Sequence, residues 1–266
     1  MEKAQDALRA GNLDEALRIV QQQVRQEPAT GKHRIFLFQL LTVLGDWTRA
    51  SNQLDVLHDL DASALGMVQT YRQVLECERV RADVFAARRS PLVFGNPEAW
   101  MALLLEGLRL SVSGQHAEAR SLQEKAFEQA PAVSGSLDGE PFAWIADADS
   151  RLGPMLELIV KGQYYWIPFH RIKRVEITPP TDLRDLVWLP AHFTWANGGE
   201  AVGFIPTRYP ESELSDDAAI RLARKTQWTE VVEGVYHGMG QRILTTDQDD
   251  FSLLDSRVID FDPVSG

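Results

Sequence analysis

Three short segments of the chain share one pattern: GNLDEAL at 11–17, GDWTRAS at 45–51 and GQHAEAR at 114–120. Each begins with glycine and has alanine five residues later. The first two alanines are 34 residues apart, and the third follows after a further 69, close to twice that spacing. Glycine suits a break between two helices because it adopts left-handed backbone conformations without steric cost. The pattern therefore predicts pairs of helices repeated along the first half of the chain.

A period near 34 residues with a small residue where two helices cross is typical of tetratricopeptide repeats. Pro28 and Pro131 each lie 12 residues after the alanine of their unit, where such a repeat ends. The segment 65–95 falls between the second and third patterns and has helical apolar spacing, but it lacks the glycine–alanine pattern. We expect a degenerate repeat there, which would alter the curve of the stack.

The second half of the chain reads mostly as strands. MLELIVKGQYYWIPF (155–169) and HFTWANGGEAVGFIP (192–206) each predict two strands about a turn, and RIKRVEI (171–177) alternates as a half-buried strand does. SDDAAIRLARKTQW (215–228) predicts a helix with Ser215 as its N-cap. VSGSLDGE (133–140) has the composition of a linker.

Together these patterns predict a multidomain α+β chain. Residues 1–132 form an all-α, tetratricopeptide-like helical-repeat domain, and residues 140–266 form a mostly β domain, either a small twisted sheet or a partial barrel. The segment order lacks the regular alternation of strand and helix that a doubly wound parallel sheet requires.

Charge and composition exclude several classes of partner. The 266 residues carry a net charge of −11, of which −2 lies in residues 1–131 and −9 in residues 132–266. Nucleic acid is not expected as a partner, because it requires clustered Lys and Arg. No stretch is long and apolar enough to predict a membrane segment, and the N-terminus has no signal-peptide core. The single cysteine, Cys77, suits a reducing compartment, so a cytoplasmic location is predicted.

A stack of helical repeats has a concave face that commonly binds peptides. We expect the first helix of each unit to contribute the residues of a protein-binding groove. The candidates are Gln5, Arg9, Lys32, Ile35, Gln39, Met101, Leu104 and Leu108. The apolar members also suit ordinary packing between helices.

One segment raises the question of catalysis. FAWIADADSRLGP (142–154) follows an apolar run with Asp147 and Asp149, as several magnesium or calcium sites do. A calcium loop starting at Asp147 would need Gly at position 152, where Leu stands. A Mg²⁺-dependent phosphohydrolase using both aspartates remains an alternative, although the parallel sheet it requires is not predicted. The simpler interpretation is that both aspartates cap turns and pair with Arg151; no catalytic, cofactor-binding or metal-binding residue is predicted.

Four longer segments together resemble one known family. They are DGEPFAWIADADSRLGP (138–154), GQYYWIPFHRI (162–172), PPTDLRDLVWLPA (179–191) and GFIPTRYPES (203–212), behind the helical repeats. The combination is similar to the ImpE/TagJ family of bacterial type VI secretion accessory proteins, over nearly the whole chain. The resemblance implies a helical-repeat domain followed by a β-rich one, and a non-enzymatic role without a cofactor. It also implies binding to the small subunit of the contractile sheath and, through it, a link to the AAA+ ATPase that recycles the sheath. A general tetratricopeptide co-chaperone remains the other alternative.

Overall fold

The computed structural model describes residues 2–263, and helices precede nearly all of the strands. The helices are α1 Glu2–Arg9, α2 Leu13–Gln26, α3 Gly31–Val43, α4 Trp47–Leu60, α5 Leu65–Phe85, α6 Ala99–Val112, α7 His116–Gln129 and α8 Ala218–Arg221. The strands are β1 Leu92–Val93, β2 Gly135–Leu137, β3 Glu140–Phe142, β4 Ile145–Asp147, β5 Met155–Val160, β6 Gln163–Pro168, β7 Ile172–Ile177, β8 Trp188–Trp195, β9 Glu200–Pro206, β10 Thr226–Val232, β11 Val235–Gly240, β12 Ile243–Thr246, β13 Asp250–Ser252 and β14 Val258–Phe261. The predicted α+β class, with helices first and strands after them, is confirmed.

The glycine–alanine patterns form antiparallel helix pairs, as predicted. Gly11 lies between α1 and α2 with a φ of 75°, and Gly45 lies between α3 and α4 with a φ of 72°. Gly114 separates α6 from α7 with a φ of 81°. The alanines of the pattern, Ala16 and Ala50, are fully buried, which lets the paired helices approach closely.

The predicted degenerate repeat at 65–95 is one long helix rather than a pair. Helix α5 has 21 residues and ends at Phe85; strand β1 then pairs in parallel with β6 at the edge of the sheet. Pro91 and Pro97 flank β1, and proline cannot continue a helix interior because it lacks the backbone N–H. The segment that would have formed a second helix is therefore joined to the β region.

The strands form open sheets and not a closed barrel. The main sheet of the described residues has nine strands in the order β1-β6-β5-β9-β8-β7-β14-β2-β3, and β1 and β3 lie at opposite edges. Two smaller sheets have the orders β10-β11 and β13-β12-β4. The predicted strand pair about Lys161 and Gly162 is confirmed as β5–β6, and the pair about Asn197 and Gly198 as β8–β9.

Two local predictions were wrong. Residues 135–137 are not a linker, because they form β2 between β14 and β3. A Cβ at Gly135 would lie 2.0 Å from the Asp260 carbonyl oxygen, so this glycine permits a close approach between strands rather than flexibility. The helix predicted over 215–228 has only the four residues of α8, and its cap is Asp217 rather than Ser215. Pairing of Thr226 with Gly240 across β10 and β11 takes the remainder into a sheet.

The helices pack on one face of the main sheet. Met155 and Ile159 of β5 belong to the same buried apolar cluster as Phe38 of α3 and Val74 of α5. The alternating residues of β5, such as Leu156, belong to a second cluster on the opposite face. Strand β5 is consequently buried on both faces, and any polar side chain on it lies deep inside the protein.

Candidate functional site

The two aspartates of the FAWIADADSRLGP segment are buried and hold its turn. Asp147 is 3% exposed and Asp149 is fully buried. Asp147 Oδ1 accepts a hydrogen bond from the Asp149 N–H at 2.9 Å, and Asp149 Oδ1 accepts one from the Arg151 N–H at 2.9 Å. Both carboxylates therefore cap turns, as predicted.

The pairing of these aspartates was predicted correctly for one of them. Arg151 Nε donates to Asp149 Oδ1 at 2.8 Å, which confirms that ion pair. Asp147 pairs with Arg242 instead, and Tyr209 Oη donates to Asp147 Oδ1 at 3.1 Å. Each carboxylate thus has a guanidinium beside it, so the positive charge that a metal ion would supply is already provided by arginine.

These pairs belong to a larger group of buried charges centred on Glu157 of β5. Arg81 Nε donates to Glu157 Oε1 at 2.7 Å, Arg242 donates to the other carboxylate oxygen, and Tyr164 Oη donates to Oε1. We call Arg81, Asp147, Asp149, Arg151, Glu157 and Arg242 the buried ion network. Through Arg81 of α5 and Glu157 of β5 it joins a helix to the main sheet by charge.

Burial and charge act in opposite directions on the carboxylates of the network. Burial favours the neutral form of Glu157, but the nearby Arg81 and Arg242 outweigh it and hold the pKa of Glu157 at about 2. For Asp147 burial dominates over Arg242 and raises the pKa to about 6. Glu157 therefore keeps its negative charge beside the two arginines.

The network ties helix α5 to the sheet, and neighbouring contacts add to this. Trp188 Nε1 on β8 donates to Glu78 Oε1 on α5 at 2.6 Å, and Arg208 Nη1 donates to the Val43 carbonyl at 2.9 Å. Sequence reasoning missed Arg81, Glu157 and Arg242 as a group. The available signal was a single glutamate inside the otherwise apolar strand MLELIV, because a charge in a strand buried on both faces requires a partner.

The predicted groove residues divide into two sets. Gln5 and Arg9 of α1 and Gln39 of α3 line one groove of the structure, which we call the N-terminal groove. The other residues lining it are Leu8, Phe36, Pro180, Thr181, Asp182, Leu183, Leu186 and Arg224. Lys32 is exposed and Ile35 half-buried on α3, but neither lines this groove.

The predicted residues of α6 lie elsewhere. Met101, Leu104 and Leu108 are 1%, 0% and 3% exposed and belong to the apolar cluster shared with the sheet. A partner cannot reach them as the groove contacts that the sequence suggested. The reason is that the apolar stripe of α6 packs into the core, the usual position of such a stripe.

Residues 180–186 and Arg224 complete the N-terminal groove from the β region. Arg224 donates hydrogen bonds to the carbonyls of Leu8 at 3.1 Å and Arg9 at 3.2 Å, at the C-terminal end of α1. A positive charge is favourable there because the last carbonyls of a helix carry partial negative charge. These contacts fix the C-terminal end of α1 against the β region.

Two comparisons identify the family. The model of the family described as "ImpE protein" matches residues 139–260. A protein of Pseudomonas aeruginosa named "Type VI secretion system accessory component TagJ" is 50% identical over 260 residues, which cover 98% of this chain and 91% of the relative. The chain belongs to the ImpE family.

The ImpE fold also occurs in a solved structure. The crystal structure of a protein from Vibrio parahaemolyticus superposes with a TM-score of 0.89 at 25% identity, covering 98% of this chain and 97% of that one. The family match contains every member of the buried ion network except Arg81. Across the part of the chain that the structure describes, no helix is long and apolar enough to span a membrane.

Proposed function

We propose that this ImpE family protein is a non-enzymatic accessory protein of a bacterial type VI secretion system and acts in the cytoplasm. It binds the small subunit of the contractile sheath and thereby modulates assembly of the sheath or its recycling by the AAA+ ATPase. The accessory role is supported by the name of the Pseudomonas aeruginosa relative. The choice of the sheath subunit as partner follows from the family resemblance.

The observation that carries the binding role is the N-terminal groove. Three polar residues predicted from the repeat pattern line this groove: Gln5, Arg9 and Gln39. Phe36 and Leu186 line it as well, and a groove with both apolar and polar side chains suits an amphipathic helix, which inserts apolar side chains at helical spacing. The Arg9 side chain is 71% accessible and pairs with Asp6 of the same helix at 3.3 Å, an exposed ion pair that an acidic residue of the partner helix can replace at little cost.

The alternative functions have weaker support. A phosphohydrolase would need Asp147 or Asp149 free to bind Mg²⁺ or attack a phosphate, whereas both are engaged by arginines. Over residues 2–263, no group of three His, Cys, Asp or Glu side chains is arranged to hold a metal ion. A carboxylate-clamp co-chaperone would present several basic residues from its helices, and in the groove the helices contribute only Arg9 among the residues described.

Charge reversal in the N-terminal groove is expected to weaken binding of the purified small sheath subunit. The double variant Gln5→Glu, Arg9→Glu places two negative charges where an acidic partner residue would lie, and both positions are exposed, so the fold should persist. We expect the Kd, measured by isothermal titration calorimetry, to rise at least about tenfold, because like charges brought together across an interface cost on the order of 1.4 kcal/mol or more.

A matched control lies on the next helix. The double variant Gln22→Glu, Arg25→Glu on α2 makes the same change of charge at two exposed positions that do not line the groove. We expect its Kd to stay close to that of the parent protein. Equal Kd values for the groove variant and the parent would exclude the N-terminal groove as the binding site.

A further inference from the structure

A second cavity lies over the buried ion network, between α5, the end of α6 and strand β11. Its volume is about 530 Å³. Arg81, Arg88, Arg151, Glu78 and His237 are among its polar lining residues, and Trp47, Val112 and Leu214 supply apolar surface. Arg81 is only 6% exposed, so part of the polar wall of this cavity is a buried charge.

The two arginines are held in the same way. In Arg81, Nε and Nη2 donate to Glu157, and Nη2 also donates to the Arg208 carbonyl. In Arg151, Nε and Nη2 donate to Asp149, and Nη2 also donates to the Gly238 carbonyl. Each guanidinium is thus fixed by Nε and Nη2, and its Nη1 makes no hydrogen bond to that carboxylate.

The Nη1 groups have no hydrogen-bond acceptor among the described residues. Arg81 Nη1 forms an ion pair with Glu78 Oε2, but their separation of 3.6 Å is too long for a hydrogen bond. The Glu78 carboxylate instead accepts the Trp188 indole N–H at 2.6 Å. Arginine N–H groups without a protein acceptor can donate to a carboxylate oxygen, so this wall is suited to an incoming oxygen ligand.

Phe85 contacts both guanidiniums. Its ring centroid lies 5.6 Å from Arg81 Cζ and 5.2 Å from Arg151 Cζ, within the range of cation–π contacts. His237 lies beside them, and its buried Nε2 has no hydrogen-bond partner within residues 2–263. Burial first, and then the charge of Arg151, lower the pKa of His237 to about 4, so the imidazole is neutral near pH 7.

We propose that this cavity binds a small organic acid, whose carboxylate accepts hydrogen bonds from Nη1 of Arg81 and Arg151. The apolar body of the acid packs against Trp47, Val112 and Leu214. A bound acid of this kind contacts α5 and the segment after β4 together, and so clamps the helical region to the sheet. The site is separate from the N-terminal groove and does not depend on the sheath subunit as partner.

Further charges at the cavity favour a monocarboxylate over phosphate. Glu211 and Glu213 also line it, and their negative charge opposes a doubly charged ligand. The apolar side chains offer nothing to the additional oxygens of a phosphate, because buried polar groups require hydrogen-bond partners. The preferred ligand is therefore a singly charged acid with a hydrocarbon body.

The first test compares three probes on the intact parent protein: phenylacetate, its uncharged analogue phenylacetamide, and inorganic phosphate. The readout is the NMR shift of the Trp47 indole N–H. We expect saturable binding of phenylacetate at one site per chain, with an affinity at least about tenfold above that of phenylacetamide, because the carboxylate exchanges water for two charged donors. Phosphate should bind more weakly than phenylacetate.

A matched pair of variants locates the site. Ala82 is exposed and lines the cavity, so Ala82→Glu and Ala82→Gln add side chains of nearly equal size without disturbing the network. We expect Ala82→Glu to weaken phenylacetate binding about tenfold relative to Ala82→Gln, because only the former adds a negative charge near the ligand. No saturable binding of phenylacetate, equal binding of the amide, preference for phosphate, or equal affinity in the two variants would each overturn the proposal.

Discussion

Replacing Glu157 with glutamine is expected to lower the free energy of unfolding by about 3–5 kcal/mol, the usual cost of breaking a buried ion pair from one side. Glu157 is fully buried and accepts hydrogen bonds from Arg81, Arg242 and Tyr164. Glutamine keeps the size of the side chain but removes its charge, so two buried guanidiniums lose their common counter-charge. Urea denaturation of parent and variant, followed by tryptophan fluorescence, measures the difference.

The control for this variant is Glu176→Gln. Glu176 is half exposed and pairs with Arg174 at 3.3 Å on the surface of β7. Because exposed ion pairs contribute little, this change should cost less than about 1 kcal/mol. If Glu157→Gln lowers the free energy of unfolding no more than Glu176→Gln does, the buried ion network does not hold the helices to the sheet.

The stability lost in Glu157→Gln is expected to shrink as the pH is lowered. The pKa of Glu157 is about 2 in the folded protein and 4.5 in its ordinary range, so its ionisation stabilises the fold above pH 4.5 and this stabilisation disappears as the pH falls towards 2. A shift of this size corresponds to about 3 kcal/mol. Urea denaturation of parent and variant should show a smaller difference in the free energy of unfolding at pH 3 than at pH 6.

The pH dependence of stability expected from Asp147 is opposite to that expected from Glu157, so Asp147 provides a comparison. Its folded pKa of about 6 exceeds its ordinary value of 3.8, so its contribution is fully present below pH 3.8 and is lost as the pH rises through 6. The free energy of unfolding of the parent minus that of Asp147→Asn should therefore be greater at pH 3 than at pH 7.

For Glu157→Gln, the same difference in the free energy of unfolding should change between pH 6 and pH 3. A constant difference would contradict the low pKa assigned to Glu157.

Local features of the sequence were enough to predict the helix pairs and two of the strand pairs. Gly11 and Gly45 mark left-handed turns, and Lys161-Gly162 marks a tight hairpin, because each conformation is fixed by residues close in sequence. The prediction of a linker at Gly135 was wrong because the residue that approaches this glycine closely, Asp260, is far along the chain. Local pattern alone cannot distinguish that role from a flexible linker.

The ion network could not be assembled from local pattern for the same reason. Arg81 and Glu157 are 76 residues apart, and Asp147 and Arg242 are 95 residues apart. The N-terminal groove was predictable in part, because Gln5 and Arg9 share a face of α1. Its other wall, residues 180–186, comes from the β region and has no counterpart in the repeat pattern.

We propose that the N-terminal groove binds the small sheath subunit. Hydrogen–deuterium exchange of the protein with and without that subunit tests this proposal most directly. We predict slower exchange on binding in α1, in α3 and in residues 180–186, which together line the groove. Exchange in α2 and α4, which do not line the groove, should be unchanged. Protection confined to other regions, or none at saturating sheath subunit, would contradict this account.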